Sequence, residues 1–113
     1  MIVYDSGDVV LVPYPFGERA GGRKRPGLVI SPAEFNESTS EIIIAQITSR
    51  LSDDPRPGDY TIEGWKEANL PRPAMVRCRL ATLQTSLVLR RLGKLSEAEF
   101  SRVQDVLNMA LGR

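Results

Sequence analysis

The sequence predicts a mainly β fold in which many short strands form a small barrel or strongly bent sheet capped by one C-terminal helix. Short apolar runs rich in β-branched residues, separated by glycine and proline, indicate the strands. A capped amphipathic segment over Ser96–Leu111 indicates the helix. At 113 residues the chain is the size of one domain, and residues 1–113 are expected to form a single unit.

Three buried strands are predicted in the first half of the chain. Asp8–Val12 is an apolar run that Pro13 ends, and Leu28–Ser31 is a second run that Pro32 closes. Glu41–Ile47 is the third. Residues 16–24 between the first two strands have the composition of a loop, because they are rich in glycine and charge.

The middle of the chain is predicted to be less regular. A turn-rich connection leads to a short strand over Tyr60–Ile62 and one helical turn over Trp65–Asn69. Ala74–Leu80 then alternates apolar and basic residues, as a strand with one buried and one exposed face does. This alternation places Arg77 and Arg79 together on the exposed face.

The last part of the chain ends in the predicted helix. A short strand from Leu83, a helical turn around Ser86 and a strand over Leu89–Leu92 are expected before it. Ser96 and Glu99 fit a capping box, in which Ser96 accepts from the amide of Glu99 and the Glu99 side chain bonds back to the helix start. The buried stripe of this helix is formed by Phe100, Val103, Leu107 and Leu111.

Charge is unevenly distributed although the net charge is only +1. Residues 72–94 contain no acidic residue, whereas residues 33–70 are rich in Asp and Glu. An acid-free stretch can line a groove for a polyanion, or its charges can form a solvated face that pairs with the acidic middle. Charge alone leaves both open. The basic residues of the stretch are Arg72, Arg77, Arg79, Arg90, Arg91 and Lys94.

Composition excludes several classes of site. The chain has no histidine and one cysteine, Cys78, so neither an internal disulfide nor a zinc site is expected, and no cofactor is predicted. Cys78 is interpreted as a structural thiol. Phosphate-loop, dinucleotide and serine-hydrolase motifs are lacking. No apolar run is long enough to span a bilayer and no signal peptide is recognisable, which predicts a cytoplasmic protein without membrane contact.

Polar residues at two predicted strand ends form the candidate site. Pro26 holds Arg25 in an extended conformation beside a basic loop, and Thr48 and Ser49 follow the third strand. A guanidinium and a hydroxyl suit a phosphodiester, since both can donate to phosphate oxygens. RNA supplies its own nucleophile, the 2′-hydroxyl. From the residues alone, Arg25 can equally be an ordinary ion-pair partner and Thr48 a strand-end residue bonded to nearby backbone.

Four segments in order and spacing resemble the PemK/MazF family of toxin endoribonucleases: Gly7–Phe16, Lys24–Ser31, Ile47–Arg50 and Leu92–Ser96. The resemblance implies a compact SH3-like barrel, a homodimer, and metal-independent cleavage of single-stranded RNA to 2′,3′-cyclic phosphate and 5′-hydroxyl ends. It also implies inhibition by a small antitoxin protein. The family's catalytic arginine matches Arg25, and its catalytic Ser/Thr matches Thr48. Its mobile first loop matches residues 16–24.

The resemblance leaves base preference open, because many relatives carry an acidic residue near the segment Val76–Arg79. RNA is expected to contact loop and strand residues near the site. The general base is also open, since an arginine with a pKa above about 12 rarely releases its proton; Glu18 is a weak candidate. The predicted RNA-binding residues are Phe16, Arg23, Lys24, Ser49, Arg50, Arg77, Arg79 and Gln84.

The sequence leaves two alternative functions open for this protein and predicts one protein partner. A protein of similar fold can act as a non-catalytic toxin that poisons DNA gyrase, and the chain can also be an RNA-binding module without cleavage. For either toxin, we expect an acidic, partly disordered antitoxin to bind the basic loops and the acid-free stretch.

Overall fold

A single antiparallel sheet organises the residues that the computed structural model describes, which are 2–13, 23–51 and 54–113. Its six strands run in the order β4-β5-β3-β2-β1-β6. The strands are β1 (Asp8–Pro13), β2 (Lys24–Val29), β3 (Glu41–Thr48), β4 (Tyr60–Thr61), β5 (Met75–Gln84) and β6 (Arg90–Lys94). A short helix α1 (Ala33–Thr39), a 3-10 turn (Thr85–Leu87) and the C-terminal helix α2 (Glu97–Ala110) complete the described elements. The predicted fold class, mainly β with a C-terminal helix, is confirmed.

Both faces of the sheet are buried. Val9 belongs to a core cluster that also contains the buried stripe of α2, whereas its neighbour Val10 belongs to a second cluster around Tyr4. Successive residues of a strand point to opposite faces, so a strand buried on both sides has a continuous apolar sequence. This explains why β1 and β3 contain apolar runs instead of alternating apolar and polar residues.

The short helix α1 was not predicted. Its segment has no apolar periodicity, and its N-terminal residue Pro32 provides no side-chain cap. Tertiary contacts hold it instead: the Ala33 amide donates to Asp5 Oδ1 at 3.0 Å, and the buried Asn36 amide group donates to the carbonyls of Tyr4 and Ser31. Hydrogen bonds between segments distant in sequence leave no local signal, so sequence patterns cannot reveal this helix.

Strand β5 differs most from its prediction. It is one strand of ten residues, and the alternation expected over Ala74–Leu80 is wrong at Leu80, whereas Arg79 is exposed as predicted. Ala45 of β3 lies opposite Leu80, but the next residue, Gln46, lies opposite Arg77. Two residues of β5, Cys78 and Arg79, are therefore inserted as a β-bulge without partners on β3, which interrupts the pairing of the two strands. Leu80, predicted to be buried, is 38% exposed.

The C-terminal helix is confirmed, with one correction to its capping and one to its buried stripe: Leu111, predicted to be buried, lies just beyond α2 and is 53% exposed. Ser96 Oγ accepts from the Glu99 amide at 3.2 Å, as predicted. The Glu99 side chain does not bond back to the helix start, because it accepts hydrogen bonds from the segment that follows β4. Neither α2 nor any other helix in the described part of the chain could cross a membrane.

Strand β2 begins earlier than predicted. The prediction placed the strand at Leu28–Ser31, whereas β2 runs from Lys24 to Val29 and pairs with β1 along its whole length. The expected turns near Trp65 and Ser86 are present, and β6 begins one residue later than the predicted last strand.

Candidate functional site

An open groove of about 1080 Å³ lies where the ends of β2 and β3 meet the start of β5. The segment Asn69–Arg72 and strand β6 also contribute to its wall. The groove brings together eight of the predicted site residues, which are Arg23, Lys24, Arg25, Thr48, Ser49, Arg50, Arg77 and Arg79.

Pro26 is positioned to end the pairing of β2 with β3 at this groove. The Ile30 amide, directly after β2, donates to the Ile43 carbonyl of β3, and alternate residues along an extended chain point their amides the same way. The nitrogen of Pro26 therefore faces β3, where it has no proton to donate. Pairing between the two strands accordingly reaches Gly27, opposite Gln46, and stops there.

Beyond Gly27 the two strands continue with different partners. β2 stays paired to β1 as far as Lys24, and β3 stays paired to β5 as far as Thr48. The strands thus separate, and the groove lies along their ends. The mutual arrangement of Arg25 and Thr48 follows from this: each residue lies on a strand that is paired on one side and lines the groove on the other.

The predicted catalytic pair has suitable donors for an anion. Arg25 is exposed, and its Nη1 donates to the Lys24 carbonyl at 3.2 Å. Thr48 Oγ1 accepts from the Arg50 amide at 3.1 Å, which is the local backbone bond considered as its alternative role. That bond uses only a lone pair of the hydroxyl oxygen, so the hydroxyl proton of Thr48 can still be donated to a ligand.

Positive charge dominates the groove. Eight of its lining residues are Arg or Lys, and no Asp or Glu occurs among its described lining residues. Such an arrangement attracts polyanions, because a groove lined by charges of one sign focuses their electrostatic field when its walls have a low dielectric constant. The basic lining residues are Arg23, Lys24, Arg25, Arg50, Arg72, Arg77, Arg79 and Arg90.

The groove interpretation applies to part of the acid-free stretch, and pairing with the acidic middle applies to Arg77, which lines the groove and also contacts Asp59. Four of its six basic residues line the groove. The other two pair with a carboxylate: Arg91 Nη2 lies 3.1 Å from Asp8 Oδ2, and Lys94 Nζ lies 3.9 Å from Asp8 Oδ1. Sequence separation alone cannot sort these residues, because neighbours in β6 point to opposite faces of the sheet.

The alternation predicted that Arg77 lies on an exposed face together with Arg79, and this is wrong for Arg77. Its side chain is 26% exposed, and its Nε lies 3.4 Å from Oδ1 of the buried Asp59 carboxylate. Asp59 also lies 3.8 Å from the exposed Arg56 guanidinium. Arg79 itself is exposed.

Sequence reasoning missed several groove residues. Arg72 and Arg90 were named in the acid-free stretch that could line a groove, but they were not included among the predicted RNA-binding residues. Gln46 and Asn69 gave no signal, because a polar residue within an apolar strand or turn is common. Gln84 lies away from the groove, opposite Glu41 at the other end of β5. Phe16 and the candidate base Glu18 lie outside the described residues.

A buried carboxylate supports the groove wall that contains Asn69. Glu99 of α2 accepts from the amides of Glu63 and Gly64 at 2.6 and 2.9 Å, and from the Tyr60 hydroxyl at 2.9 Å. Burial raises the pKa of the Tyr60 phenol, and the Glu99 carboxylate adds to this effect. Arg102 Nε donates to the same hydroxyl, and this hydrogen bond raises the pKa of Arg102.

The same wall closely approaches β6. A Cβ placed on Gly93 would lie 2.3 Å from the carbonyl oxygen of Ala68, so only glycine fits there. Asn69 Nδ2 donates to the Leu92 carbonyl at 2.9 Å. No cluster of three or more His, Cys, Asp or Glu side chains that could hold a metal ion occurs within the described ranges.

Comparison with protein families matches residues 5–111 to one family, described as the PemK-like, MazF-like toxin of type II toxin-antitoxin systems. The match spans nearly the whole chain. This protein belongs to that family. Comparison with curated protein sequences found no match.

Solved structures of toxins from the same family are similar in fold. MazF from Deinococcus radiodurans is 25% identical, with a TM-score of 0.77 and coverage of 100% of both chains. A MazE-MazF structure from that organism is 27% identical, with a TM-score of 0.71 and coverage of 100% of both chains. A mycobacterial endoribonuclease in complex with its cognate antitoxin is 19% identical, with a TM-score of 0.75 and coverage of 96% of this chain and 95% of the other.

Proposed function

We propose that this MazF-like toxin is an endoribonuclease that cleaves single-stranded RNA without a metal ion or other cofactor. The observation that carries the proposal is the basic groove at the separated ends of β2 and β3, which Arg25 and Thr48 both line. A groove with eight cations suits the phosphate backbone of RNA. A mycobacterial protein of similar fold is an endoribonuclease, and this similarity supports the same activity.

The proposed reaction is an intramolecular transesterification. The 2′-oxygen of RNA attacks the adjacent phosphorus and loses its proton to a base, forming a P–O2′ bond. The P–O5′ bond breaks, and the 5′-oxygen takes up a proton. The products are a 2′,3′-cyclic phosphate and a 5′-hydroxyl. Arg25 donates to the non-bridging oxygens, whose negative charge grows in the transition state, and Thr48 donates a further hydrogen bond.

None of the described lining residues is assigned as the base. Every ionisable group among them is an Arg or Lys, whose side chains offer hydrogen-bond donors and no acceptor. Arg25 is therefore assigned to charge stabilisation, and it can protonate the leaving 5′-oxygen. Glu18 is the carboxylate that the sequence places closest to Arg25, and the Glu18→Gln variant tests whether it accepts the proton.

The test is cleavage of a long single-stranded RNA in excess EDTA, with mapping of the product ends. We expect 5′-hydroxyl ends from the wild type, and a rate lower by about 10²-fold or more in Arg25→Ala, as for loss of one transition-state donor. Thr48→Val should also be slower. Arg113→Ala is the matched control, because Arg113 is an exposed arginine that does not line the groove.

Specific results would contradict the proposal. No cleavage in EDTA, or full cleavage by Arg25→Ala, would refute the mechanism. Growth arrest by Arg25→Ala would favour the gyrase-poisoning alternative. Saturable, salt-sensitive RNA binding without products would favour the RNA-binding module.

We also propose that an acidic antitoxin inhibits the protein by occupying the groove, and that the toxin itself is a homodimer. Structures of related toxins include MazE-MazF pairs, and the basic groove is complementary to an acidic segment. The antitoxin candidate is a small acidic protein encoded beside this one. Its addition should displace a fluorescent RNA oligomer, and displacement should weaken with added salt. Sedimentation velocity tests the dimer.

A further inference from the structure

Asp59 and Arg77 form an ion pair beside the groove, which Arg77 lines and Asp59 does not. Asp59 has a side chain only 1% exposed, and its Oδ1 lies 3.4 Å from Arg77 Nε. These two buried atoms make no hydrogen bond within the described residues, and Asp59 Oδ1 also lies 3.8 Å from Nε of the exposed Arg56. A buried carboxylate is costly unless a cation compensates it, which makes the pairing a strong constraint on the Arg77 side chain.

The turn that carries Asp59 packs against the strand that carries Arg77, and this packing holds the ion pair in place. The turn before Asp59 contains Gly58 in the left-handed region at φ +92°, and a Cβ there would lie 2.8 Å from Cys78 Cβ. Gly58 thus lets the turn pack directly against the bulge in β5, which begins after Arg77. The turn is closed by the Arg56 amide, which donates to Asp59 Oδ2 at 3.1 Å.

Arg77 differs from the other cations of the groove in its effective charge. The Asp59 carboxylate offsets much of the charge of Arg77, so the pair attracts a polyanion less than an unpaired exposed arginine does. The directional donors of Arg77 are retained. Nε lies 3.4 Å from Asp59 Oδ1 without hydrogen-bond geometry, and the Nη1 and Nη2 atoms form the forked end of the guanidinium.

A forked pair of donors selects for two adjacent acceptors on a base. Guanine presents N7 and O6 on one edge, whereas adenine presents one acceptor and one donor there. The groove contains no described carboxylate that could accept from the amino group of adenine or cytosine. Unpaired RNA bases can present these edges because they are not constrained in a duplex.

We propose that Arg77 reads a guanine of the bound RNA through N7 and O6, and that Asp59 is the positioning residue that orients it. The inference rests on the proposed RNA-binding function and deepens it by naming the recognised base. Arg77 serves specificity, whereas the exposed arginines and Lys24 of the groove bind phosphates.

The experiment measures binding of short 2′-O-methyl oligomers, which cannot be cleaved because the nucleophile is blocked. Each oligomer is oligo-uridine with one central guanine, inosine, 7-deazaguanine or adenine, and the all-uridine oligomer is the reference. We expect guanine and inosine to bind about tenfold more tightly than 7-deazaguanine and adenine, because 7-deazaguanine lacks N7.

Two variants separate recognition from phosphate binding. Arg77→Lys should remove the preference for guanine over 7-deazaguanine, measured as the ratio of the two affinities in this variant, since the charge is kept but the forked pair of donors is lost. Asp59→Asn should reduce the same preference while affinity for oligo-uridine stays equal or rises, because a negative charge is removed. A merely structural role for Asp59 would weaken binding of every oligomer alike. Arg113→Lys is the matched control.

Equal binding of guanine and 7-deazaguanine by the wild type would overturn the inference, as would a uniform loss across all oligomers in Arg77→Lys. If Asp59→Asn does not fold, Arg77→Lys still decides. Guanine preference without cleavage of natural RNA would refute the endoribonuclease and leave this inference standing. Cleavage of natural RNA without guanine preference would overturn the guanine inference and leave the endoribonuclease standing. Absence of binding to any oligomer would overturn both the RNA-binding function and the guanine inference.

Discussion

Replacing Glu99 with glutamine should destabilise the fold, although the change is small in volume. Both carboxylate oxygens accept backbone amide protons: Oε2 from Glu63 at 2.6 Å and Oε1 from Gly64 at 2.9 Å. A glutamine amide has only one oxygen, so in either orientation its NH₂ group faces one of these N–H donors. Glu99→Gln therefore loses a hydrogen bond and leaves a donor unsatisfied.

The magnitude follows from the contacts that are lost. A hydrogen bond to a charged acceptor contributes about 1.5–3 kcal/mol, and an unsatisfied buried donor costs about 1–3 kcal/mol. Partial relaxation of the Glu63–Gly64 segment reduces the sum, so we expect the free energy of unfolding to fall by about 3 kcal/mol. For a domain of this size each kcal/mol lowers Tm by about 4 °C, which predicts a decrease of about 12 °C.

The assay is thermal and urea unfolding followed by circular dichroism. Glu97→Gln is the matched control, because Glu97 is an exposed residue in the same first turn of α2 and loses the same charge. It should change stability by less than about 0.5 kcal/mol. The reasoning would be refuted if Glu99→Gln and Glu97→Gln melted within about 3 °C of each other.

Three further predictions concern the groove and its support. Gly93→Ala should cost about 1–3 kcal/mol in urea unfolding, since its Cβ would lie 2.3 Å from the Ala68 carbonyl oxygen, and unchanged stability would contradict that close approach. Arg72→Gln and Arg90→Gln should each make the dependence of log K for RNA binding on log salt shallower by about 0.7, the value for one phosphate contact on a single strand; an unchanged slope would remove that residue from the RNA contact. Burial raises the Tyr60 pKa above its ordinary 10.0. The contribution of the protonated Tyr60 phenol to the free energy of unfolding should therefore be fully present below pH 10 and be lost as pH rises from 10 through the folded-state pKa. In an ultraviolet titration the tyrosine component that ionises above pH 10 should be lost in Tyr60→Phe, and its persistence would contradict the assignment.

The site was predictable in its parts because each part has a local cause. Pro26 restricts the backbone of Arg25, and a strand end places Thr48 next to a loop; both effects act between neighbours in the chain. The family resemblance then assigned roles to the two residues. Neither source could indicate that Pro26 also ends the pairing between two strands, since that requires knowing which neighbour its nitrogen faces.

The sequence by itself determined the elements whose signals are local: the apolar strands β1 and β3, the Ser96 cap and buried stripe of α2, and an acid-free basic stretch. Tertiary structure alone decided the bulge after Arg77, the partner of Glu99 and the division of the basic residues between the groove and Asp8. The physical reason is that β-sheet register, buried ion pairs and close backbone approaches join residues distant in sequence. Their free energies depend on burial and geometry that no local pattern records.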